Sequence, residues 1–513
     1  MCELSLNLRQ ATIVDCEMVF HWRNLPEIAL LGSKQKTVDR EEHTYWFQKI
    51  IKSKTNSLLI VQLNGKPIGQ VRFDDVEKNS CAVSIYLLPQ YTGKGLGVVA
   101  LKDSCRSTFS KKPITRMIAM ILKNNVRSLS AFQKAGFKFS DNIADNLPEN
   151  HFLLELDRPP DVPHNRLTRG DSEEEALVEV VRSGYWASGP KVEQLEATLA
   201  GMANVKHAVC VASGLSALRL LILGLGVGPG DNILVPAYSC VALANAVLAC
   251  DANPIPIDIT PGDWNLDVIA LKNAINELRP RAVIVVNTFG VPASVESMQV
   301  LDIPILEDCA HSFGMVMNGL PIGGRTQAAI LSFYATKLIG AGEGGAVLTN
   351  STDLAKFIKS WRDYSDQQPS GKRLNDKMTD IEAALALSQL ERLPDMIAKR
   401  SKLARRYHDL LVGEETRTGL FRLPDISSPR IWYRYVVEMQ DVSAQAVIDY
   451  LLHYGVQAQK PITDWRSPGI QSCPIATWAY DCLVSLPLYP TLKLDEQDRV
   501  VHAFLSFIQK NTQ

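Results

Sequence analysis

The sequence lacks the features that mark several classes of protein. Its ten cysteines are scattered over 513 residues without a Cys-x-x-Cys pair, which argues against a zinc ribbon or a disulfide framework and favours a reducing compartment. The N-terminus has no basic stretch followed by an apolar core, so we expect no signal peptide. No apolar run reaches about 18 residues, so we expect no membrane-spanning helix and a cytoplasmic protein.

An excess of charge of either sign is also absent. Lys and Arg total 54, Asp and Glu total 55, and the formal net charge is −1. A wholly basic nucleic-acid-binding protein is therefore excluded, and no basic helix-turn-helix segment stands out. The 46% hydrophobic and 21% charged residues are typical of a folded globular protein, and we expect no bound metal.

Prolines mark the clearest division of the chain. Pro159, Pro160 and Pro163 follow a strand-like stretch, 151–156, and precede a polar segment, 165–175. Proline interrupts helices and central strands, so we predict a linker over 159–175 and a first domain over 1–158. At about 100–200 residues per domain, the remainder is predicted to hold a large domain, 176–400, and a small one, 401–513.

Both parts are predicted to be α/β. In the front part, the Asn64-Gly65 pair between two apolar runs is a strong hairpin signal. In the back part, short apolar runs alternate with helical stretches, which is typical of a doubly wound parallel sheet. A long helical stretch over 378–411 precedes a smaller α/β segment. The predicted strands are 58–63, 68–73, 81–87 and 114–121 in front, and 208–211, 232–235, 254–257, 282–286, 303–306 and 328–332 behind.

A glycine-rich loop in the front part is a candidate anion site. A strand leads into Gln90-Tyr-Thr-Gly93-Lys94-Gly95-Leu-Gly97, and a helix follows. Glycines let the backbone turn tightly and approach a ligand, while loop amides and the helix N-terminus point at a phosphate. Lys94 adds a positive charge. Taken alone, this pattern also fits a purely structural turn.

The wider pattern resembles the GNAT superfamily of N-acetyltransferases. The loop is similar to that family's acetyl-CoA loop, and the segments 125–128 and 132–137 resemble its next motif. The resemblance implies a mixed α/β domain that passes an acetyl group directly from a thioester to an amine. The residues that it implies for acetyl-CoA binding are Gln90, Gly93, Lys94, Gly95, Gly97 and Asn125.

The front part departs from the GNAT pattern at Phe132. Many members carry a tyrosine there, and phenylalanine cannot protonate the leaving thiolate. Either another acid or water serves, or acyl transfer is impaired. Segments around Arg23 and His43 look like parts of the acetyltransferases that act on nucleotide-linked amino sugars, which implies substrate contacts from both residues; their aromatic neighbours Trp22 and Trp46 are expected in the core.

The back part combines an acidic strand end with a lysine beside a glycine-rich stretch. A buried strand ends in Glu307-Asp308, and a second strand is followed by Lys337 and by glycines at 340–345. Acidic residues at the carboxyl end of a parallel strand lie where such sheets bind ligands, and a lysine in this setting suits a Schiff base. Pyridoxal phosphate needs a lysine, a carboxylate for its ring nitrogen and a cup for its phosphate. Lys337 and Asp308 meet the first two needs.

The phosphate cup has a candidate upstream. Residues 211–218 are predicted as a strand, a turn that contains Gly214, and a helix start. Amides at that helix N-terminus and the Ser216 hydroxyl can bind a phosphate.

The order of these parts resembles the DegT/DnrJ/StrS aminotransferases, which act on nucleotide-linked keto sugars. The match runs from about residue 176 to the C-terminus and includes segments 183–190, 231–238, 374–384 and 486–492. The resemblance implies a fold-type I aminotransferase with pyridoxal 5'-phosphate as its cofactor, glutamate as its amino donor and a homodimeric assembly.

The same resemblance assigns residues to roles. It implies Lys337 as the Schiff-base lysine and proton carrier, Asp308 as the partner of the pyridine nitrogen, and His311 as a neighbour of the ring hydroxyl. The residues that it implies for phosphate binding are Gly214, Leu215 through its amide, Ser216, Ser332 and, across a dimer interface, Asn375.

Two departures from the aminotransferase pattern concern the cofactor. Leu215 replaces the usual threonine, and Cys240 falls where many members stack an aromatic ring. Tyr238 is a candidate substitute for that ring. Tyr433 and Arg434 are further candidates for contact with the nucleotide sugar.

The two predicted chemistries are consecutive. Transamination of a keto sugar creates a primary amine, and acetyl transfer consumes one. We therefore expect a bifunctional enzyme that aminates a nucleotide-linked keto-deoxysugar and acetylates the product for a surface polysaccharide, such as lipopolysaccharide. Two alternatives stay open: a degenerate front domain that only binds, and a regulatory back domain that holds its cofactor without turnover.

Overall fold

The computed structural model describes residues 6–30, 36–53, 55–77, 79–112, 114–140, 148–158, 162–364, 372–466 and 473–512. The chain divides into two compact units near residue 160. No described helix is both long enough and apolar enough to cross a bilayer.

The front unit is a seven-stranded sheet with helices. Its strands are β1 (Leu6–Gln10), β2 (Ser57–Leu63), β3 (Lys66–Glu77), β4 (Ser80–Leu87), β5 (Arg116–Leu122), β6 (Lys138–Phe139) and β7 (His151–Asp157). Its helices are α1 (Cys16–Arg23), α2 (Pro26–Ala29), α3 (Arg40–Lys52), α4 (Leu96–Lys111) and α5 (Val126–Ala135). The sheet order is β1-β2-β3-β4-β5-β7-β6.

Two neighbouring strands in the middle of this sheet, β4 and β5, separate at one end. β4 and β5 run parallel and pair only at 80–82 with 116–118, whereas the other neighbours are antiparallel. Beyond Ala82 the two strands have no further ladder pairs. The glycine-rich loop follows the unpaired end of β4 and leads into α4, so the fold places the loop beside this gap.

The back unit contains a large sheet, a β-hairpin, a small three-stranded sheet and twelve α-helices among the described residues. Its strands are β8 (His207–Val211), β9 (Asn232–Pro236), β10 (Asn253–Ile257), β11 (Ala282–Val286), β12 (Ile305–Asp308), β13 (Val316–Met317), β14 (Leu320–Pro321), β15 (Ala328–Ser332), β16 (Gly345–Thr349), β17 (Phe421–Arg422), β18 (Tyr435–Met439) and β19 (Leu483–Leu486). Its helices are α6 (Asp171–Ser183), α7 (Pro190–Ala203), α8 (Gly214–Gly224), α9 (Val241–Leu248), α10 (Val268–Leu278), α11 (Val295–Met298), α12 (Thr352–Arg362), α13 (Asp380–Glu391), α14 (Leu393–Thr418), α15 (Ala444–His453), α16 (Pro474–Cys482) and α17 (Leu494–Asn511).

The large sheet has the order β10-β9-β11-β12-β15-β16-β8. β10, β9, β11, β12 and β15 run parallel to one another, and β16 is antiparallel to both β15 and β8. Side chains of β8 alternate between two apolar layers, one on each face of the sheet. The sheet is therefore covered on both faces, which confirms the predicted doubly wound α/β fold.

One strand was missed and one local prediction was wrong. Gly345–Thr349 is a fully buried strand that is absent from the predicted strands. The helical stretch over 378–411 is two helices separated at Arg392. Pro394 lies in the first turn of the second helix, where its missing amide is tolerated, but it cannot continue the first.

Candidate active sites

Asp308 and Lys337 meet at the carboxyl edge of the large sheet. Asp308 ends β12, and Lys337 lies five residues after the end of β15, the neighbouring strand. Nζ of Lys337 is 3.0 Å from Nε2 of His311. The fold thus brings together the three residues that the sequence predicts for catalysis.

His311 is a half-buried, neutral imidazole. Its ring stacks on Tyr433 with centroids 4.0 Å apart and lies parallel to Phe289 on a 6.5 Å spacing. Burial lowers the pKa of His311 well below its usual value, and the charges of Lys337 and Arg434 lower it further. A neutral ring can accept a hydrogen bond from the Lys337 ammonium, so His311 can orient that lysine.

The Asp308 carboxyl is buried without a salt-bridge partner among the described residues. Burial raises its pKa, while the Lys337 charge and a hydrogen bond from the Ala310 amide, 2.9 Å long, partly offset the rise. A buried carboxylate of this kind gains stability from a cation placed against it. It therefore suits a protonated ring nitrogen.

Glu307 has a separate, structural position. Its side chain is fully buried and forms an ion pair with the buried Arg325, and Asn287 donates a 2.9 Å hydrogen bond to it. Successive side chains of a strand point to opposite faces. The Glu307-Asp308 pair therefore supplies one carboxylate to the core and one to the site.

A small cup forms where β8 and β15 end. Ser213 caps α8 and accepts a 3.0 Å hydrogen bond from the Ser216 amide, and its hydroxyl lies 3.1 Å from that of Ser216. A Cβ on Gly214 would lie 2.8 Å from Cβ of Ser332. The structure thus places Gly214, Ser216 and Ser332 together, while the Leu215 side chain is exposed.

Replacing Gly214 with alanine tests the cup. The added methyl would force Ser332 or the start of α8 to move, because real Cβ atoms do not approach to 2.8 Å. We expect Gly214→Ala to weaken binding of pyridoxal phosphate at least about 10-fold. The control is Gly201→Ala in α7, where nothing lies within 4 Å and alanine adds about 0.5–1 kcal/mol of helix stability. Titration of each apoprotein with the cofactor gives the affinities; an unchanged value for Gly214→Ala would contradict the assignment.

The remaining predicted cofactor residues differ in exposure. Tyr238 is fully buried against Phe289 and Tyr480, and its hydroxyl has no hydrogen-bond partner among the described residues. Cys240 is exposed at the start of α9. Asn375 is exposed, although the next residue, Asp376, is buried in an ion pair with Arg219.

These residues fit pyridoxal phosphate. The Gly214 cradle, which a Cβ would fill, matches a phosphate, and the buried Asp308 matches a ring cation. The hydroxyl groups of Ser312 and Tyr238 are buried without a described partner, as expected where a polar ligand belongs. Lys337 carries the primary amine that this cofactor requires.

In the front unit, the predicted loop turns tightly at two glycines. Gly93 and Gly95 have φ of +75° and +77°, and Lys94 lies over the Tyr91 ring at 5.9 Å. Gln90 is exposed, and Gly97 lies in the first turn of α4. The Asn125 side chain caps α5 by accepting a 3.1 Å bond from the Ser128 amide, which gives it a structural role.

Arg23 and His43 lie on the helical side of this unit. His43 is buried among Phe20, Trp46 and Phe47, and its Nε2 is 3.2 Å from the Cys16 carbonyl. Burial lowers the pKa of His43, and a smaller effect of the Arg23 charge acts in the same direction. Nη1 of Arg23 donates a 3.2 Å bond to the Ile28 carbonyl.

Sequence reasoning missed a polar pair beside Arg23. Gln70 of β3 and Tyr86 of β4 face each other in the ladder, and both carry a buried oxygen without a described partner. Burial raises the pKa of Tyr86, against the opposing charges of Arg23 and Arg72. Phe132 is buried edge-on to Phe137 at 4.9 Å and offers no hydroxyl, whereas Tyr86 carries a buried one. Its position just before the glycine-rich loop was the available signal.

The segment predicted as a linker is structured where it is described. Val162 pairs with Val456, and the Arg166 guanidinium is 2.8 Å from Glu496. Nε2 of His164 is 2.9 Å from the Ser485 hydroxyl. α6 already begins at Asp171. Residues 162–169, named the N-terminal strap below, therefore pack within the back unit.

His164 of the strap predicts a pH effect on stability. Burial lowers its pKa from 6.5 to about 3, so the unfolded chain binds a proton between these values that the folded chain does not. Stability is then lost as pH falls below about 6.5, by about 1.4 kcal/mol per pH unit for this group. We expect His164→Gln to remove that loss. Thermal unfolding of both proteins at pH 7 and pH 5 checks this. If the Tm difference between wild type and His164→Gln were the same at the two pH values, the account would be contradicted.

Comparison with known proteins identifies a family for each part of the chain. Residues 168–505 match the DegT/DnrJ/EryC1/StrS aminotransferase family, and residues 5–138 match the acetyltransferase (GNAT) domain. A curated relative, dTDP-3-amino-3,4,6-trideoxy-alpha-D-glucose transaminase of Streptomyces venezuelae, is 31% identical over 357 residues, which covers 65% of this chain and 92% of the relative.

Two solved structures extend the comparison. DesV of S. venezuelae in complex with a ketimine intermediate is 28% identical with a TM-score of 0.62, covering 69% of this chain and 99% of that chain. NtdA of Bacillus subtilis with the bound cofactor PMP is 25% identical with a TM-score of 0.61, covering 73% and 88%. The predicted pair of families is confirmed. The chain belongs to the DegT/DnrJ/EryC1/StrS family of pyridoxal-phosphate-dependent aminotransferases and carries a GNAT acetyltransferase domain before its aminotransferase domain.

Proposed function

We propose that this chain aminates a nucleotide-linked keto-deoxysugar, with glutamate as the donor, and then N-acetylates the new amine with acetyl-CoA. The observation that carries the proposal is the meeting of Lys337, His311 and Asp308 beside the serine-lined cup. The name of the curated relative, a dTDP-amino-sugar transaminase, supports the substrate class. The product would enter a surface polysaccharide, such as lipopolysaccharide, from the cytoplasm.

The back unit supplies proton positions for amino transfer. When bound, pyridoxal phosphate supplies an aldehyde carbon and an electron-accepting ring. Asp308 holds a proton at the ring nitrogen, which its buried carboxylate favours. Lys337 Nζ moves the proton that leaves the donor's α-carbon, and neutral His311 holds that Nζ at 3.0 Å. Overall, an amino acid and a keto sugar become a 2-oxo acid and an amino sugar.

The front unit suits direct acetyl transfer. The gap between β4 and β5 adjoins the glycine-rich loop, so a thioester held by the loop can meet an amine there. The amine nitrogen attacks the carbonyl carbon, the carbon–sulfur bond breaks, and the amine proton is lost while the thiolate gains one. Tyr86 is the hydroxyl of this unit that we propose as the proton source.

Asn375 supports a homodimer. Its neighbour Asp376 is fixed by the Arg219 ion pair and by an Ala212 amide that donates to its carbonyl at 2.8 Å. The exposed Asn375 is thereby held beside the start of the cup region yet free to reach a second subunit. We propose a first domain over 1–158 and an aminotransferase part over 162–513, with the dimer formed through the latter part.

Mass analysis tests the whole proposal. Purified protein is incubated with UDP- and dTDP-linked 3-keto and 4-keto sugars, glutamate and acetyl-CoA. We expect an amino sugar without acetyl-CoA and its N-acetyl derivative with it. An amine that never becomes acetylated would overturn the bifunctional function, and absence of any amine would overturn the aminotransferase function.

A second candidate is an aminotransferase whose front unit only binds ligands. The buried Phe132 ring favours it, because that position offers no acid. Turnover of acetyl-CoA by the full chain with a supplied amino sugar excludes this candidate. A cofactor spectrum that does not respond to glutamate would instead indicate a regulatory protein.

Gly95 offers a test of the acetyl-CoA loop. Its φ of +77° is unfavourable for alanine, so we expect Gly95→Ala to distort the loop and raise the KM for acetyl-CoA about 10-fold or more. Gly65→Ala is the matched control, since Gly65 has φ of +78° at a hairpin and nothing within 4 Å. Both variants should lose similar stability, but only the first should change acetyl-CoA kinetics. Equal KM values in the two variants would contradict the role of the loop.

A further inference from the structure

Arg434 is a half-buried cation without an anionic partner among the described residues. It forms no salt bridge there, and its one hydrogen bond runs from Nη1 to Nε2 of His164 at 3.1 Å. Its guanidinium carbon lies 5.4 Å from the centre of the Tyr433 ring. Through that ring Arg434 adjoins the Lys337 site, since Lys337 Nζ is 5.3 Å from the same centre.

Positive charge is in excess around Tyr433. The buried Arg400 donates to the carbonyls of Tyr433 and Leu488 at 3.1 and 2.9 Å and also forms no salt bridge among the described residues. The charges of Lys337, Arg400 and Arg434 all act on the Tyr433 hydroxyl, and Asp308 is the carboxylate that interacts with Lys337. Unbalanced positive charge in a partly desolvated site attracts an anion.

His164 fixes the direction of Arg434. The Ser485 hydroxyl and the strap hold the imidazole, whose Nε2 accepts from one edge of the guanidinium. Burial and the Arg434 charge keep the pKa of His164 low, at about 3. The imidazole is therefore neutral, and it neither repels the Arg434 guanidinium nor adds charge to the site. The other edge of the guanidinium stays available for contact with a carboxylate or a phosphate.

We propose that Arg434, positioned by His164 of the N-terminal strap, binds an oxyanion of a substrate at the Lys337 site. This inference rests on the proposed aminotransferase function. Two sources share that chemistry: the carboxylate of the amino donor and a phosphate of the nucleotide sugar. The positioning residue precedes the part of the chain that matches the aminotransferase family.

Calorimetric binding tests the proposal without turnover. Glutarate and dTDP are titrated separately into the full-length holoenzyme. We expect Arg434→Gln to lower the affinity for one of these ligands at least about 10-fold. Arg434→Lys keeps the charge and should lower the same affinity less. Arg422→Gln is the control, because its side chain is 71% exposed and 3.9 Å from Glu438. Weaker glutarate binding assigns the donor carboxylate, and weaker dTDP binding assigns the phosphate.

The same titrations test the positioning role. We expect His164→Leu to weaken the affected ligand about threefold to 10-fold, and His164→Gln, which keeps an acceptor, to restore most of the loss. The KM of the affected substrate should rise with little change in kcat. Unchanged binding of both probes in Arg434→Gln would overturn the proposal. If the wild type transfers no amino group and Arg434→Gln still binds a probe more weakly, the anion site is kept and the aminotransferase function is rejected.

Discussion

Lys337→Ala is expected to lower amino transfer by about 10³-fold or more while acetylation of a supplied amino sugar stays near the wild-type rate. The variant loses both the amine that joins the cofactor and the proton carrier beside His311. Alanine is smaller and uncharged, so folding should survive. The measurements are initial rates of 2-oxo acid formation and of free thiol release.

Two controls sharpen this result. Lys191→Ala removes a lysine that pairs with Glu179 at 3.0 Å in the same unit and should leave both reactions unchanged. Added methylamine should restore part of the lost activity in Lys337→Ala, because a small amine can replace the missing proton carrier. Retention of amino transfer above about a tenth of wild type would contradict the assignment of Lys337.

Asp308→Asn is expected to lower amino transfer by about 10²-fold to 10⁴-fold with the cofactor still bound. An amide cannot stabilise a protonated ring nitrogen as a carboxylate does, although its size is nearly the same. Lys337, His311 and the phosphate cup are untouched, so the loss should appear in kcat rather than in cofactor affinity. The ultraviolet–visible spectrum of the bound cofactor should change with the protonation of the ring.

The same substitution should stabilise the apoprotein. Because burial raises the pKa of Asp308, the folded chain holds this proton more tightly than the unfolded chain does. Stability is therefore lost as pH rises through the folded pKa, and asparagine removes that loss. Asp302→Asn, at an exposed turn with φ of 49°, is the control. A Tm of apo Asp308→Asn below that of wild type at pH 8 would contradict this account.

The sequence predicts those parts of the fold whose cause is local. Ala282–Val286 is a strand with the predicted bounds, because a central parallel strand is a continuous apolar run. α5 likewise begins and ends at local signals, since Asn125 caps its start and Gly136 follows its end. Gly345–Thr349 escaped prediction because its strand character depends on β8 and β15 on either side.

The residues of the candidate site also separate into those with a local signal in the sequence and those without one. Asp308 and Lys337 follow strands that local pattern identifies, so their meeting could be expected; their roles stay predictions. The contact between His164 and Arg434 joins residues 270 positions apart, and no local signal indicates it. Tyr86 was overlooked for a related reason, because only the ladder shows that Gln70 lies opposite.

The antiparallel strand β16 has a consequence for folding. β8 comes first in the large sheet along the chain, yet its neighbour β16 comes last, and Ser213 of the cup bridges to Gly344. Such distant pairing is slow to form, since a long intervening chain must close first. The cup is thus completed only when nearly the whole sheet has assembled. A cofactor that binds only the completed cup would stabilise finished molecules over partly folded ones, so the native fraction would rise with the cofactor concentration.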